Sequence, residues 1–193
     1  GKIVVAMSGG VDSAVAALLL KQQGWQTIGV SLRLAPDLGP ASTGRCCSVD
    51  DLDDARRVCD AIGIPFFAVD ARERFAQTVF DPFVRAYRAG LTPIPCLACN
   101  HAIKFGDLDA TARQLQANLA TGHYARRIDH GGVATFARPL DAVRDQTYYL
   151  YGTPVDTIAR LHLPLGNLDK QQVRKIAKDA GLRVANKPDS QEI

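Results

Sequence analysis

The sequence holds no apolar run long enough to span a bilayer and no signal peptide, so it reads as cytoplasmic, with no membrane partner. It has no internal repeat and no low-complexity segment, which excludes a solenoid or an array. It lacks the lysine of a G-x-x-x-x-G-K-[ST] loop and has no G-x-G-x-x-G, so neither of those phosphate turns is present. There is no second C-x-x-C to pair with Cys96 and Cys99, so the usual two-pair zinc site is not written into the chain. A large excess of one sign of charge is missing too. The formal net charge of +3 fits a nucleic-acid partner but is too small to argue for one. The chain starts at Gly1 and stops on Ser190-Gln191-Glu192-Ile193 with no closing element. Both ends are expected to be cuts in something longer.

What is present suits one α/β domain: 193 residues, 47% apolar and 22% charged. The most informative stretch is Ser8-Gly9-Gly10-Val11-Asp12-Ser13. An apolar strand (2–6) precedes it and an apolar helix (13–23) follows it. Two glycines let backbone N–H groups approach an anion, and the helix start adds its free donors and positive end. Ser8 and Ser13 add hydroxyls. Asp12 would repel a bare phosphate, but is suited to a divalent cation that the phosphate shares. The turn reads as a phosphate cradle.

Further strands are expected at Thr27 to Leu34, Pro65 to Val69 and Asn118 to Thr121. Helices are expected at Val49 to Ile62, 71–88 with a break near Pro82, Ile103 to Leu115, and Asp169 to Ala180. Residues 35–48 read as a loop, Leu91 to Asn100 as irregular because of Pro93 and Pro95, and 124–138 as a β-hairpin. Alternating strand and helix imply a doubly wound parallel sheet with the small hairpin and a helical C-terminal extension. Ligands of such sheets sit beyond the carboxyl ends of the strands, which gathers 8–13, Leu32, Asp70 and Gly122-His123 along one edge. Lys170, Arg174 and Lys178 lie four apart and read as a solvated face.

The cysteines leave alternatives open. Cys96 and Cys99 suit a zinc site, an iron–sulfur cluster or a reactive thiol. Cys99 stands before a helix containing Lys104, where a thiolate would be favoured. Cys46 and Cys47 read as packing beneath the next helix, with Ser48 its N-cap and Asp50 and Asp51 in its first turn. Cys59 reads as core. Arg144-Asp145-Gln146 with Tyr148-Tyr149 is a polar cluster with aromatics, by itself a weak sign of RNA contact.

Taken together, these segments resemble one family, the tRNA-specific 2-thiouridylases of the ATP pyrophosphatase superfamily. The matching pieces are Ala6 to Ser13, Cys46-Cys47-Ser48 with Asp53 to Arg56, Thr92 to Asn100 with Ile103-Lys104-Phe105, and Ala120 to Ala125. Asp145 to Leu150, Leu163 to Gly166 and Asp189 to Ile193 complete the set. The resemblance implies an adenine-nucleotide α-hydrolase-like, Rossmann-like fold over 1–193, with the part from about 140 leading toward β-rich tRNA-binding domains. It implies ATP at Ala6, Met7, Ser8, Gly9, Gly10, Val11, Asp12 and Ser13, with Leu32 and Gly122 beside it. The implied reaction is adenylation of the C2 oxygen of the wobble uridine in tRNAs for Lys, Glu and Gln, then sulfur transfer. Magnesium would offset the pyrophosphate charge, with Asp12 its candidate ligand. Cys99 matches the nucleophile. Ile94, Pro95 and Cys96, with Arg144, Asp145 and Gln146, match the base-contacting segments. A second catalytic cysteine would follow Ile193, and its persulfide sulfur would come from a donor protein. Many members carry Asp where Cys96 stands and Asn where Ile94 stands, so Cys96 is either an extra thiol or a cluster ligand. The alternatives are another ATP pyrophosphatase acting on a small molecule, or a nonenzymatic nucleotide- or metal-binding module.

Overall fold

The computed structural model describes residues 1–34 and 49–189. The expected loop at 35–48, with Cys46, Cys47 and Ser48, and the motif at 190–193 lie outside the described residues.

Five parallel strands form one sheet in the order β3-β2-β1-β4-β7. They are β1 (Lys2–Ala6), β2 (Gln26–Arg33), β3 (Phe66–Asp70), β4 (Asn118–Ala120) and β7 (Leu161–His162). The chain moves outward one way from β1 to β3, then returns to β4 on the other side of β1. The switch point therefore lies between β1 and β4, and a crevice opens beyond their carboxyl ends. Alternation along β1 serves both faces. Ile3 and Val5 join the layer of α1 (Val11–Gln22), α2 (Val49–Ile62) and α8 (Lys170–Asp179), while Val4 joins the opposite layer with Val79, Cys99 and Ile103. Cys59 is fully buried in the first layer, and burial pushes its thiol up to about 12. It is core, as expected.

Strands β5 (Arg126–His130) and β6 (Val133–Ala137) form the antiparallel hairpin read from Gly131-Gly132. α8 opens on a capping box, with Asp169 and Gln172 satisfying each other's backbone N–H groups. Its Val173 and Ala177 pack in the same core as β1. Among the described residues, no helix is long and apolar enough to cross a membrane.

Two expectations about proline are corrected. The helix through Pro82 is not broken. It runs as α3 (Arg72–Phe75), a π-wound stretch (Ala76–Phe80) and α4 (Asp81–Arg88). Wider winding just before Pro82 places the proline at the start of α4, where its missing N–H is tolerated. Nor is Leu91 to Asn100 irregular throughout. Pro95 opens α5 (Pro95–Cys99), again at the position that needs no donor. The helix continues through a π-wound stretch (Asn100–Leu108) into α6 (Asp109–Gln114).

Candidate active site

The turn after β1 is held by its own serines. Ser8 N–H donates to Ser13 Oγ (3.2 Å), and the Ser13 hydroxyl donates to the Gly10 carbonyl (3.1 Å). With its hydrogen so used, Ser13 Oγ accepts from the Ser8 hydroxyl at 3.2 Å. Helix α1 then starts after Gly10, its N-cap, with no side-chain cap. The first-turn N–H groups of Val11, Asp12 and Ser13 find no acceptor among the described residues and stand at the positive end of the helix. This is anion-binding geometry.

The two glycines do different work. Gly9 has φ +74°, and a Cβ there would stand 2.3 Å from the Asp51 carbonyl oxygen in the first turn of α2. Gly10 has room, the nearest atom being Ser8 Oγ at 3.6 Å. Only the first is demanded by packing within the chain. Gly122, after β4, is also a packing glycine: its Cβ would lie 2.7 Å from Asp12 C and Ser13 N. Its absence lets the β4 turn rest on the first turn of α1.

Around Asp12 the structure assembles groups that the sequence pattern did not point to. Lys170 Nζ donates to both Asp12 oxygens at 2.8 Å, and the Tyr124 hydroxyl donates to Oδ1 at 3.0 Å. The same ammonium meets Asp189 Oδ1 at 2.7 Å, and Arg144 pairs with Asp189 Oδ2. Arg174 donates to the Ala185 and Lys187 carbonyls (2.7 and 3.1 Å) and to Asp189 (3.3 Å). Lys187 closes the strap, donating to the Gly9 carbonyl (3.1 Å), Asp51 (2.8 Å) and Asp54 (2.6 Å).

The expectation of a solvated basic stripe therefore fails for Lys170 and Arg174 and holds for Lys178, which is exposed. One signal was available in the sequence. A lysine in the first turn of a helix opposes the macrodipole, so it calls for a carboxylate nearby. Burial and then Asp12 raise the Tyr124 phenol well above its ordinary value. Burial alone would raise the Asp189 carboxyl, but the hydrogen bonds from Lys170 and Arg144 outweigh it and hold it below the usual range. As pH falls, the unfolded chain takes up this proton first. Stability from Asp189 is thus intact above about pH 4 and is lost as pH drops through the lower folded value. Acid titration of unfolding is expected to show a shallower loss in Asp189→Asn than in the parent chain. Parallel acid limbs would contradict it.

The site continues from Tyr124 without a gap. Tyr124 N–H donates to Gln146 Oε1 at 2.8 Å, and Gln146 N–H returns a bond to the Tyr124 carbonyl at 3.0 Å. Tyr149 N–H donates to the Gln146 carbonyl at 3.0 Å, and Asn100 Nδ2 donates to the Tyr149 carbonyl at 3.0 Å. This path runs from Asp12 to the residue beside Cys99. Asp145 accepts from the Thr147 N–H and hydroxyl (2.9 and 2.6 Å), fixing the turn that presents Tyr149. His123 shares a 2.9 Å hydrogen bond with Thr121 Oγ1. Burial, then the charge of Lys104, lowers it to about 3, so it is neutral at physiological pH.

Cys99 differs from the expectation. It closes α5 and the helix runs on past it, so it does not stand before a helix N-terminus. It is 6% exposed and packs in the second core layer. Cys96, one turn earlier, is half-buried, and Ile94 is exposed just before the helix. Leu32 and Met7 are buried at the carboxyl ends of their strands.

The resemblance implies two inorganic groups, magnesium and an iron–sulfur cluster, and each demands a particular donor set. Magnesium wants an octahedral set of oxygens. Both Asp12 oxygens are already engaged by Lys170, and no described residues form a cluster of three or more His, Cys, Asp or Glu. An iron–sulfur cluster needs more thiolates than Cys96 and Cys99. Among the described residues the remaining cysteine is Cys59, in the core layer on the opposite face of the sheet. The described residues therefore fit neither a protein-held magnesium nor a cluster.

A turn of anion-binding geometry, a neutral histidine, and a Cys-Asn pair tied to the turn by hydrogen bonds lie along one sheet edge. The profile of the family described as tRNA methyl transferase HUP domain matches residues 1–193. The chain belongs to that family. It is 51% identical over 195 residues to the tRNA-specific 2-thiouridylase MnmA of Bartonella bacilliformis, covering 100% of this chain and 50% of that protein. It is 50% identical over 200 residues to the protein of the same name from Rhizobium leguminosarum bv. trifolii, covering all of this chain and 50% of the relative. The chain thus spans about half the length of the curated relatives it matches. Its fold is similar to that of a 4-thiouridine synthetase solved as an RNA complex with bound ATP, with TM-score 0.62 and 18% identity over 100% of this chain and 44% of that one. It is also similar to the glutamine-dependent NAD+ synthetase of Acinetobacter baumannii in complex with ADP, with TM-score 0.60 and 14% identity over 97% and 32%.

Proposed function

We propose that this chain is the adenylating part of a tRNA 2-thiouridylase, acting on the wobble uridine of tRNAs for Lys, Glu and Gln. The observation that carries the reading is the hydrogen-bonded path from Asp12 through Tyr124, Gln146 and Tyr149 to Asn100. It ties a phosphate turn to a cysteine-bearing helix, so activation and sulfur attack share one edge.

ATP is placed with its β and γ phosphates at Gly9 to Ser13 and its nucleoside between Leu32 and Gly122. The uridine C2 oxygen attacks the α-phosphorus, the bond to the β-phosphate oxygen breaks, and pyrophosphate leaves into the turn. The open N–H groups of α1 take up the charge that develops there. Lys170 offsets the Asp12 carboxylate, which would otherwise repel it. Ile94, Pro95 and Cys96, with Arg144, Asp145 and Gln146, flank the base. The outer sulfur of a persulfide delivered by a donor protein then attacks C2 and AMP leaves. The Cys99 thiolate attacks the inner sulfur, the S–S bond breaks with its electron pair going to the sulfur on C2, and the disulfide left on Cys99 is reduced by an external thiol. Cys99 is buried, so its thiol meets the inner sulfur only after α5 shifts. Magnesium travels with the nucleotide in this reading, and no step is assigned to a cluster.

The test is isotope exchange between labelled pyrophosphate and ATP, with unmodified tRNA for Lys, Glu or Gln. Exchange that requires tRNA, with AMP rather than ADP as product, is the expected result. Release of ADP, or exchange driven by a small acid without RNA, would overturn it.

A further inference from the structure

We infer that the cavity beside the Cys99–Asn100 helix takes one unpaired RNA base, other than the base that reacts. The inference rests on the RNA substrate of the proposed function. The cavity holds about 290 Å³ and is walled by Leu97, Ala98, Asn100, His101, Tyr149 and Tyr151, among others. That is just below the roughly 300–1,000 Å³ of sites for drug-sized ligands, so its occupant is small. Leu97 and His101 are four apart on the helix and share a face, and neither Cys96 nor Cys99 is among the lining residues. A base held here therefore lies beside the sulfurs and not against them.

The lining defines the chemistry. Tyr151 is 73% exposed and Tyr148 is 60% exposed, with ring centroids 6.2 Å apart. Tyr149 lies 5.9 Å from Tyr148, edge to face. Aromatic rings held at a surface are the usual platform on which unpaired RNA bases stack. Asn100 adds an edge contact. It is 3% exposed, its Nδ2 is fixed on the Tyr149 carbonyl, and its Oδ1 has no partner. A buried acceptor of this kind is costly unless a donor arrives, and the exocyclic amine or ring N–H of a base is such a donor. His101 pairs Nδ1 with the Gly152 carbonyl at 2.9 Å, which leaves Nε2 for a second edge contact. No carboxylate is among the described lining residues, so a polyanion meets no repulsion there.

The experiment measures binding of an anticodon stem-loop RNA to the 193-residue chain by fluorescence anisotropy. Tyr151→Ala is expected to weaken binding about tenfold, within the range for loss of one base–aromatic stack, while Tyr151→Phe stays within about twofold. Leu97→Trp, which fills the cavity, is expected to weaken it similarly. One abasic substitution in the loop should cost the parent chain the same factor and cost Tyr151→Ala nothing more. ATP binding should be unchanged throughout. RNA binding that is indifferent to both Tyr151→Ala and Leu97→Trp overturns the base pocket and leaves the proposed function standing. Absence of RNA binding by the parent chain, with ATP still bound, overturns the RNA substrate and the pocket with it.

Discussion

Lys170→Met is expected to destabilise the chain by about 2–4 kcal/mol. Removing one partner of a buried pair costs about 3–5 kcal/mol, and the figure is reduced because the remaining carboxylates are partly solvated. The Lys170 side chain is 10% exposed and holds two carboxylates, Asp12 at 32% and Asp189 at 33%. Methionine keeps the packing length and removes the charge. Asp12 then faces the first turn of α1 beside Tyr124 alone, and Asp189 keeps Arg144 and Arg174. The measurement is the denaturant midpoint at unchanged slope. Adding Asp12→Asn and Asp189→Asn to Lys170→Met should recover part of the loss, because the orphaned charges go with their partner. If Lys170→Met unfolds at the parent midpoint, the ammonium is not holding the turn. Under the proposed function the same variant binds ATP more weakly, and raised salt narrows the gap because it screens the exposed Asp12 charge.

Gly9→Ala should cost about 2–6 kcal/mol, the sum of roughly 1–3 for the left-handed backbone and roughly 1–3 for forced packing. The φ of +74° alone strains any side chain, and the added methyl would press on the Asp51 backbone, which cannot swing away as a side chain would. Either α2 retreats or the turn does. Retreat also stretches the Lys187 bonds to the Gly9 carbonyl, Asp51 and Asp54. Gly10→Ala is the control. Its φ is −96° and its Cβ has open space, so stability should change by under about 0.5 kcal/mol. Nucleotide titration of Gly10→Ala then shows whether a phosphate needs that space. Equal stability of the two alanine variants would remove the packing account of Gly9.

The Gly-rich turn, the strands β1 to β4 and the hairpin at Gly131-Gly132 were legible in the residues, because each is local; the two-residue strand β7 was not. Hydrophobic period, glycine position and capping residues act within a few neighbours in the chain. The capping box at Asp169 and Gln172 is of this kind. Proline was read too strongly. Pro82 and Pro95 forbid a donor rather than a helix, and the fold puts both where no donor is wanted.

What surrounds Asp12 was decided only by tertiary structure. Lys170 and Asp189 lie far along the chain, and no spacing rule connects them to residue 12. The ion pairs form because Val173 and Ala177 of α8 pack into the core shared with α1, which brings the first turn of one helix against the first turn of the other. The character of Cys99 was settled in the same way. Its neighbours in sequence predict a cysteine in a proline-stiffened loop before a helix, whereas the core layer it shares with Val4, Val79 and Ile103 makes it a buried helical one. Sequence alone determined that this chain carries a Gly-rich strand-to-helix turn on a parallel sheet. Packing between distant segments determined which charges balance that turn and how far the sulfur stands from solvent.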